Sequence, residues 1–409
     1  MIAGSLDLQE PWYVEGARFD EDKRELHIFV GVRKDAEIRC PKCGAKTSRY
    51  GYEPVERVLR HGDCMFFPTL VHCKRPRVMC KNCGVEQVSA PFERPNSRFT
   101  LLFEGYAMLL MADMPRRKVA EILRCDEKSL ASMLSYWVKK ADDKRSLAKV
   151  AHLAVDETSF KRGHEYVTLI IDAWERSVID VRQGRDKTTI EEFCKKLEEK
   201  GGKAENIRTV TSDMSKSFLP AIAENFPKAE SIIDKFHVKK IVLDALDDVR
   251  KDEQKSVKDK KNLFRGRKLF MKRPDSLNAE QSEKLKELSK RYPLTGRAAK
   301  IVAGLDDFYD SATVEEAAES FKALCSWMRR SRLEPMKEAA ATIQRHKTGI
   351  LSYFADRLTN AICEGINSMV QAAKRKARGF NTYQGYASMI YLVAGKLKLD
   401  TPKPFSHFH

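Results

Sequence analysis

Residues 13–19 and 25–32 mix aromatic, β-branched and other apolar positions with polar ones on either side of Asp20-Glu-Asp-Lys. This predicts two strands joined by a polar turn. Residues 1–95 as a whole read as β-rich and irregular, punctuated by Pro76, Pro91 and Pro95. From 98 to 141 the spacing becomes helical. Between 150 and 250 the two periods alternate. Residues 151–156 are an apolar run of buried-strand type, and 166–173 and 178–182 are the next two strands around the Trp174-Glu-Arg-Ser turn. Asp186 can cap a helix over 187–200 that Gly201 ends. Residues 207–213 predict a fourth strand, and 231–234 the end of a short fifth. A helix over 236–250 carries Val238, Ile241, Val242, Ala245, Leu246 and Val249 on one face. Residues 251–350 show no strand pattern and read as helices broken at Arg273-Pro-Asp-Ser and Tyr292-Pro; 351–396 return to amphipathic helix. There is no internal repeat and no low-complexity tract.

Three strands, a helix, then strand, helix, strand and helix is the order of a ribonuclease-H-like core. In that fold the first and fourth strands are neighbours at the sheet centre. Asp156 and Asp213, which end their apolar runs, then emerge side by side. Glu364 sits in the helical stretch Thr359-Asn-Ala-Ile-Cys-Glu-Gly-Ile-Asn, and a late helix packed on the sheet brings it to them. Three carboxylates so placed can hold a pair of hard, oxygen-seeking cations. Asp356 and Glu157 are nearby competitors, but Glu157 points to the other sheet face if its strand continues. Taken singly, each acid is as well explained by a loop cap or a solvated helix face. The 150 residues between Asp213 and Glu364 exceed what the fold needs, so 251–350 are expected to be an all-helical insertion. The expected organisation is a multidomain α/β chain. It comprises a zinc-binding module over 1–95, a helix-turn-helix region over 96–148, the first part of the catalytic core over 149–250, the insertion over 251–350, and over 351–409 the helical part carrying the third acid.

The 409 residues carry a net charge of +17, and 33% of them are charged. Residues 251–300 hold 16 Lys/Arg against 7 Asp/Glu, a net of +9; 371–400 hold six basic residues, among them Lys374, Arg375, Lys376 and Arg378, and one acid. Clustered cations suit a phosphate backbone, although most charge runs are merely solvated. No apolar segment of signal-peptide type follows Met1. The longest apolar stretch, 99–112, is too short to span a bilayer and contains Glu104. An intracellular protein is expected, with its ten cysteines reduced.

Cys40-Pro-Lys-Cys43-Gly44 and Cys80-Lys-Asn-Cys83-Gly84 are two C-x-x-C knuckles separated by 36 residues. Four thiolates suit a closed, tetrahedral, structural Zn²⁺ site. Cys64, Cys73, His61 and His72 lie in the gap without knuckle spacing and read as loop or core residues. Residues 119–133 fit a helix-turn-helix. Ala120 is the small residue at the crossing, Leu123, Cys125, Leu130 and Met133 fill the apolar slots, and Asp126 caps the second helix. Arg124 stands where the turn usually has Gly. Lys128, Ser129 and Ser132 would then face the major groove; the plainer reading is an ordinary helical hairpin.

The knuckles, the helix-turn-helix, Asp156-Glu-Thr-Ser-Phe-Lys-Arg-Gly, Asp234-Lys-Phe-His237 and Glu364-Gly-Ile-Asn367 through Arg378-Gly-Phe380 occur in one order along the chain. In this the chain resembles the ISL-three family of bacterial insertion-sequence transposases over nearly its whole length. The resemblance implies a DDE enzyme with an amino-terminal zinc finger that binds the ends of an insertion sequence and catalyses metal-dependent DNA strand cleavage and transfer. Carried over residue by residue, it makes Asp156, Asp213 and Glu364 the triad holding Mg²⁺ or Mn²⁺, with His237 beside them in the catalytic site. Double-stranded DNA, at the element's ends and at the target, is the expected partner. Joining two ends calls for at least a dimer on DNA in the cytoplasm, at the nucleoid of a bacterium or archaeon. The alternatives are an inactive, transposase-derived DNA-binding protein and a nuclease of the same fold that cuts without joining.

Overall fold

Period-two alternation builds two small sheets in the first part of the computed structural model, which describes residues 2–161, 165–356 and 361–402. After a short helix α1 (Ile2–Ser5), strands β1 (Trp12–Asp20) and β2 (Glu25–Val32) form the expected antiparallel pair. Strands β3 (Ile38–Arg39), β4 (Lys46–Tyr52), β5 (Arg57–Cys64), β6 (Phe67–Cys73), β7 (Pro76–Cys80) and β8 (Gly84–Gln87) complete sheets ordered β1-β2-β6-β5 and β3-β4-β7-β8. Their core is modest: Ile28, Val30, Leu59, Val71 and Val78, with Trp12 set edge-on to Phe92.

Helices α2 (Leu101–Asp113), α3 (Arg116–Leu123) and α4 (Glu127–Lys144) follow. Glu104, the charge within the apolar stretch, is fully buried in α2. It is tolerated there because its oxygens are used: Arg94 Nε donates to both, and Ser97 Oγ and Trp137 Nε1 each donate at 2.6 Å. The carboxylate thus ties α2 to α4. Residues up to Lys144 form one compact unit with 373–393 and the described residues from 397 on.

Residues 145–372, with 394–396, form the other unit. Its sheet comprises β9 (His152–Lys161), β10 (Glu165–Asp172), β11 (Ser177–Gln183), β12 (Thr209–Ser212) and β13 (Glu230–Ile233), ordered β11-β10-β9-β12-β13. The first three strands pair antiparallel, and β12 lies parallel to both β9 and β13. One difference from the sequence reading is that β9 does not stop at Asp156. Thr158 and Phe160 keep the alternation, are buried, and extend the pairing with β10 to Lys161. Helices α5 (Lys187–Glu199), capped as expected by Asp186, and α6 (Phe218–Asn225) cover one face. Leu153, Val155, Ile170, Ile179, Phe193, Val210 and Ile222 form the core there.

Helix α7 (Lys235–Ser256) leads into α8 (Lys260–Phe270), α9 (Ala279–Arg291), α10 (Pro293–Tyr309), α11 (Val314–Arg330), α12 (Glu334–Arg345) and α13 (Lys347–Asp356). The breaks fall where the prolines predict: Pro274 opens a 3₁₀ turn and Pro293 occupies the first turn of α10. These helices do not pack only on one another. Val238, Val242 and Leu246 of α7 share a core with Phe270, Leu305, Phe308 and Ile343, and Ile233 of β13 joins it. Gly349 brings α13 against that strand; a Cβ there would lie 2.8 Å from Ile233 Cγ1 and 3.1 Å from the Ser231 carbonyl oxygen. Helices α14 (Ala361–Lys376) and α15 (Tyr383–Ala394) complete the chain. Among the described residues no helix is long and apolar enough to cross a membrane.

Candidate active site and zinc centre

Parallel pairing sets Thr211 opposite Ala154, and Ser212 opposite Ile233. Asp156 and Asp213 lie two residues beyond the first pair, and Asp234 one beyond Ile233. The three aspartates therefore stand in one row across β9, β12 and β13. The Asp234 amide donates to the Ser212 carbonyl at 2.9 Å, which extends the register to the row. Burial pushes the Asp156 carboxyl up to about 6; the Asp234 charge adds to this, while the Glu157 amide, His237 and Asn367 oppose it. His237, in the first turn of α7, hydrogen-bonds through Nδ1 to Asp234 Oδ2 at 2.7 Å. That bond raises its pKa, and the charges of Asp234, Asp213 and Asp156 reinforce the shift. Glu157 is half-buried; burial and then Asp213 raise its pKa, so it remains within electrostatic reach of the row.

Helix α14 lays one face along β9. Asn367 Nδ2 donates to Asp156 Oδ2, and Gln371 Nε2 donates to Thr158 Oγ1 at 2.5 Å. Glu364 is one turn before Asn367 on the same face and is solvent-exposed. The structure thus brings Asp156, Asp213 and His237 into one cluster and sets Glu364 on the helix face that borders it. Thr359 and Asn360 before it, and Arg162 and Gly163 after β9, lie outside the described residues. The sequence reading overlooked two members. Asp234 follows an apolar run just as Asp213 does, and that signal was readable. Asn367 has no role that spacing reveals, because its contact with Asp156 depends on packing between elements far apart in the chain. Asn367 Oδ1 is also a buried acceptor with no hydrogen-bond partner among the described residues.

The zinc ligands are set by local turns. Gly44 and Gly84 adopt φ of 74° and 80°, which lets the chain curl back after each knuckle. The sulfurs of Cys40, Cys43, Cys80 and Cys83 all lie within 4.8 Å of one another. A tetrahedral Zn–S₄ centre has edges of roughly 3.8 Å at the usual bond length, so the quartet fits. The amides of Asn82 and Cys83 pull the Cys80 thiol down, to about 7. The other residues of the gap are engaged elsewhere: Cys73 is buried in the core, His61 bonds Thr100 Oγ1 at 2.8 Å, and His72 bonds His27 and Glu56.

In the helix pair α3–α4, Arg124 adopts the left-handed conformation (φ 51°, ψ 49°) that the turn reserves for Gly. Lys128 and Ser132 are exposed on α4. Ser129 is occupied in the cap, since its amide and hydroxyl both donate to the Asp126 carboxylate, at 2.7 and 2.8 Å. Of the C-terminal basic run, Arg375, Lys376 and Arg378 are exposed; burial lowers the Lys374 pKa, and Lys376 Nζ donates to the Asp113 carbonyl at 3.0 Å.

Residues 153–390 match a transposase domain of the ISL3 type. The chain belongs to the ISL3 family of transposases. Residues 88–138 match the helix-turn-helix domain of that family, and 36–83 match the zinc finger of the IS204/IS1001/IS1096/IS1165 transposases. The three stretches contain α3 and most of α4, the four cysteines, and the acids Asp156, Asp213, Asp234 and Glu364. The chain is 24% identical to the transposase for insertion sequence element IS1557 of Mycobacterium tuberculosis, over 98% of this chain and 97% of that protein. It is 25% identical to the transposase for insertion sequence element IS1001 of Bordetella parapertussis, over 92% and 93%. The zinc-finger match and the cysteine quartet support structural zinc, and the helix-turn-helix implies DNA binding.

Proposed function

We propose that this transposase is a DDE enzyme that binds the ends of its insertion sequence and performs both strand cleavage and strand transfer at the Asp156–Asp213–Glu364 site. The observation that carries the reading is the row of acids across β9, β12 and β13 beside the α14 face bearing Glu364 and Asn367. The strand order and directions support a ribonuclease-H-like core in which 251–350 are a helical insertion.

The donor set fits hard divalent cations. It is dominated by carboxylate oxygens, the Cys363 thiol beside it is held well above its ordinary pKa by burial, and the unpartnered Asn367 Oδ1 is one further oxygen. Bound there, Mg²⁺ or Mn²⁺ would activate a water or a 3′-hydroxyl and stabilise the leaving 3′-oxygen. Asp156, Asp213 and Glu364 are the residues to hold such ions. Asn367 orients Asp156 by donating to it. His237, fixed through Nδ1 by Asp234, lies close enough to the acids for their charges to raise its pKa. Exposed Arg375 and Arg378 supply backbone contacts, and the partners are the element's ends and target DNA, brought together by at least a dimer.

The test incubates the full chain with duplexes carrying the element's ends, with and without Mg²⁺, and then with a target plasmid. Nicks at the 3′ ends of the element followed by joined products are expected. Cutting without joining would make it a nuclease. Tight end binding with no cutting in Mg²⁺ or Mn²⁺ would overturn the catalytic reading.

A further inference from the structure

The β5–β6 hairpin closes through two residues, Met65 and Phe66, between the paired Cys64 and Phe67. Both have positive φ, 49° and 70°. That is the backbone of a type I′ turn, which Asn-Gly adopts readily and which a residue with a large side chain resists. The turn also exposes both side chains, Met65 to 82% and Phe66 to 90%, more than any other large apolar side chain among the described residues. Strain and apolar exposure, each unfavourable alone, coincide at one tip.

That tip is not free to wander. Arg124 Nη2 donates to the Phe66 carbonyl at 2.6 Å and to the Asp63 carboxylate, which Arg60 also holds. Arg124 is the left-handed residue of the helix-turn-helix, and α4 starts three residues later. The β5 backbone is bonded to the segment leading into α2, Arg60 N to Arg98 O at 2.8 Å and Thr100 N to Arg60 O at 3.0 Å. The hairpin tip is therefore fastened beside the N-terminal end of α4, the end that a recognition helix presents to the major groove. The surroundings are mixed in charge: Arg98 pairs with Asp126 and Arg124 with Asp63, while Lys128 is an exposed cation. It also accounts for Arg124 in a glycine position, since a glycine would fit the turn but release the hairpin.

We infer that Met65 and Phe66 form a wedge that enters the duplex next to the recognition helix and unstacks a base step in the element's end. An exposed aromatic and a flexible thioether, fastened beside the start of the recognition helix, are the chemistry of such insertions. The inference rests on the DNA-binding reading above and adds to it the element that distorts the end.

The test replaces the tip by the sequence its backbone favours, Met65→Asn with Phe66→Gly, in the full chain. This variant relieves the turn, so it should fold and hold zinc at least as well as the parent. Its affinity for the end duplex should fall about tenfold, the order of one lost base-stacking contact. Because no cation is removed, its dependence of log K on log salt should keep the parent slope, whereas Lys128→Ala should flatten it. A 2-aminopurine placed along the end should brighten at one step with the parent and stay dark with the variant. Equal affinity and equal brightening would overturn the wedge alone. A variant that binds ends normally but sediments as a smaller species would assign the tip to a second copy of this chain instead. A parent that binds no end duplex would remove both the wedge and the DNA-binding reading.

Discussion

In the zinc ribbon, four donor sulfurs come from two loops of one small sheet and already lie within 4.8 Å of one another. In the acid cluster, the carboxylates come from the middle of β9, from just beyond β12 and β13, and from a helix far along the chain. The thiols of the quartet split: hydrogen bonding to Cys43 and burial push Cys83 up to about 12. Backbone amides draw the Cys80 thiol toward its charged, metal-ready form, whereas burial and a neighbouring acid push Asp156 away from its own. A closed site of preformed donors suits an ion that holds structure together. A site whose charges repel until an ion arrives suits one that exchanges with substrate, at a cost carried by the folded protein.

If that contrast is right, the largest effect should follow from breaking the cysteine quartet. Cys40→Ala should lose zinc. Structural zinc contributes roughly 10 kcal/mol or more to the folding of small modules at neutral pH, and the core around Leu59 and Val71 is modest. Residues up to about 95 should become protease-sensitive in the variant, while the melting of residues 145–372 persists. Full zinc loss with an unchanged digestion pattern would show that the sheets stand without metal. The next largest effect is chemical. Asp213→Asn keeps shape and removes a charge, so cleavage should drop on the order of a thousandfold, the scale of losing a key electrostatic group. End binding in a gel shift should change little, because the residue belongs to the acid row and not to a cationic surface. Retained cleavage would remove Asp213 from the triad.

The same contrast governs what the sequence made legible. Knuckle spacing is local chemistry, so Cys40, Cys43, Cys80 and Cys83 could be named outright, and Gly44 and Gly84 have the positive φ their position demands. The order of strands was legible from period, and the adjacency of Asp156 and Asp213 followed only from the fold which that order suggested. Partners were not. Nothing in the helical spacing of 251–350 says that these helices share a core with α7 and β13. Nothing in Asn367 or Gln371 says that they will meet Asp156 and Thr158. Nothing in the position of Ser129 says that its hydroxyl will donate to the Asp126 cap. Periodicity reports which face of an element is apolar; it is silent on what that face will touch.

The smallest predicted effect is also the most direct comparison of the two sites, because it asks whether the acid cluster opposes folding when no ion is present. The folded Asp156 carboxyl titrates near 6, above its ordinary value of 3.8. Between those two pH values the folded chain binds more protons than the unfolded one. Stability of the metal-free protein must therefore fall as pH rises through that window, and stay lowered above it. The ceiling is about 3 kcal/mol, and a realistic share is roughly 1–2. In EDTA at pH 8, Asp156→Asn should accordingly be more stable than the parent by about that amount. The new amide can also donate to the unpartnered Asn367 Oδ1 while accepting from Asn367 Nδ2. At pH 4, where the parent carboxyl is protonated, the advantage should shrink. In saturating Mg²⁺ it should reverse, because only the parent gains from the ion. Urea unfolding of both proteins in the three conditions measures this. An advantage at pH 4 as large as that at pH 8 would mean that the charge of Asp156 is not what the fold resists.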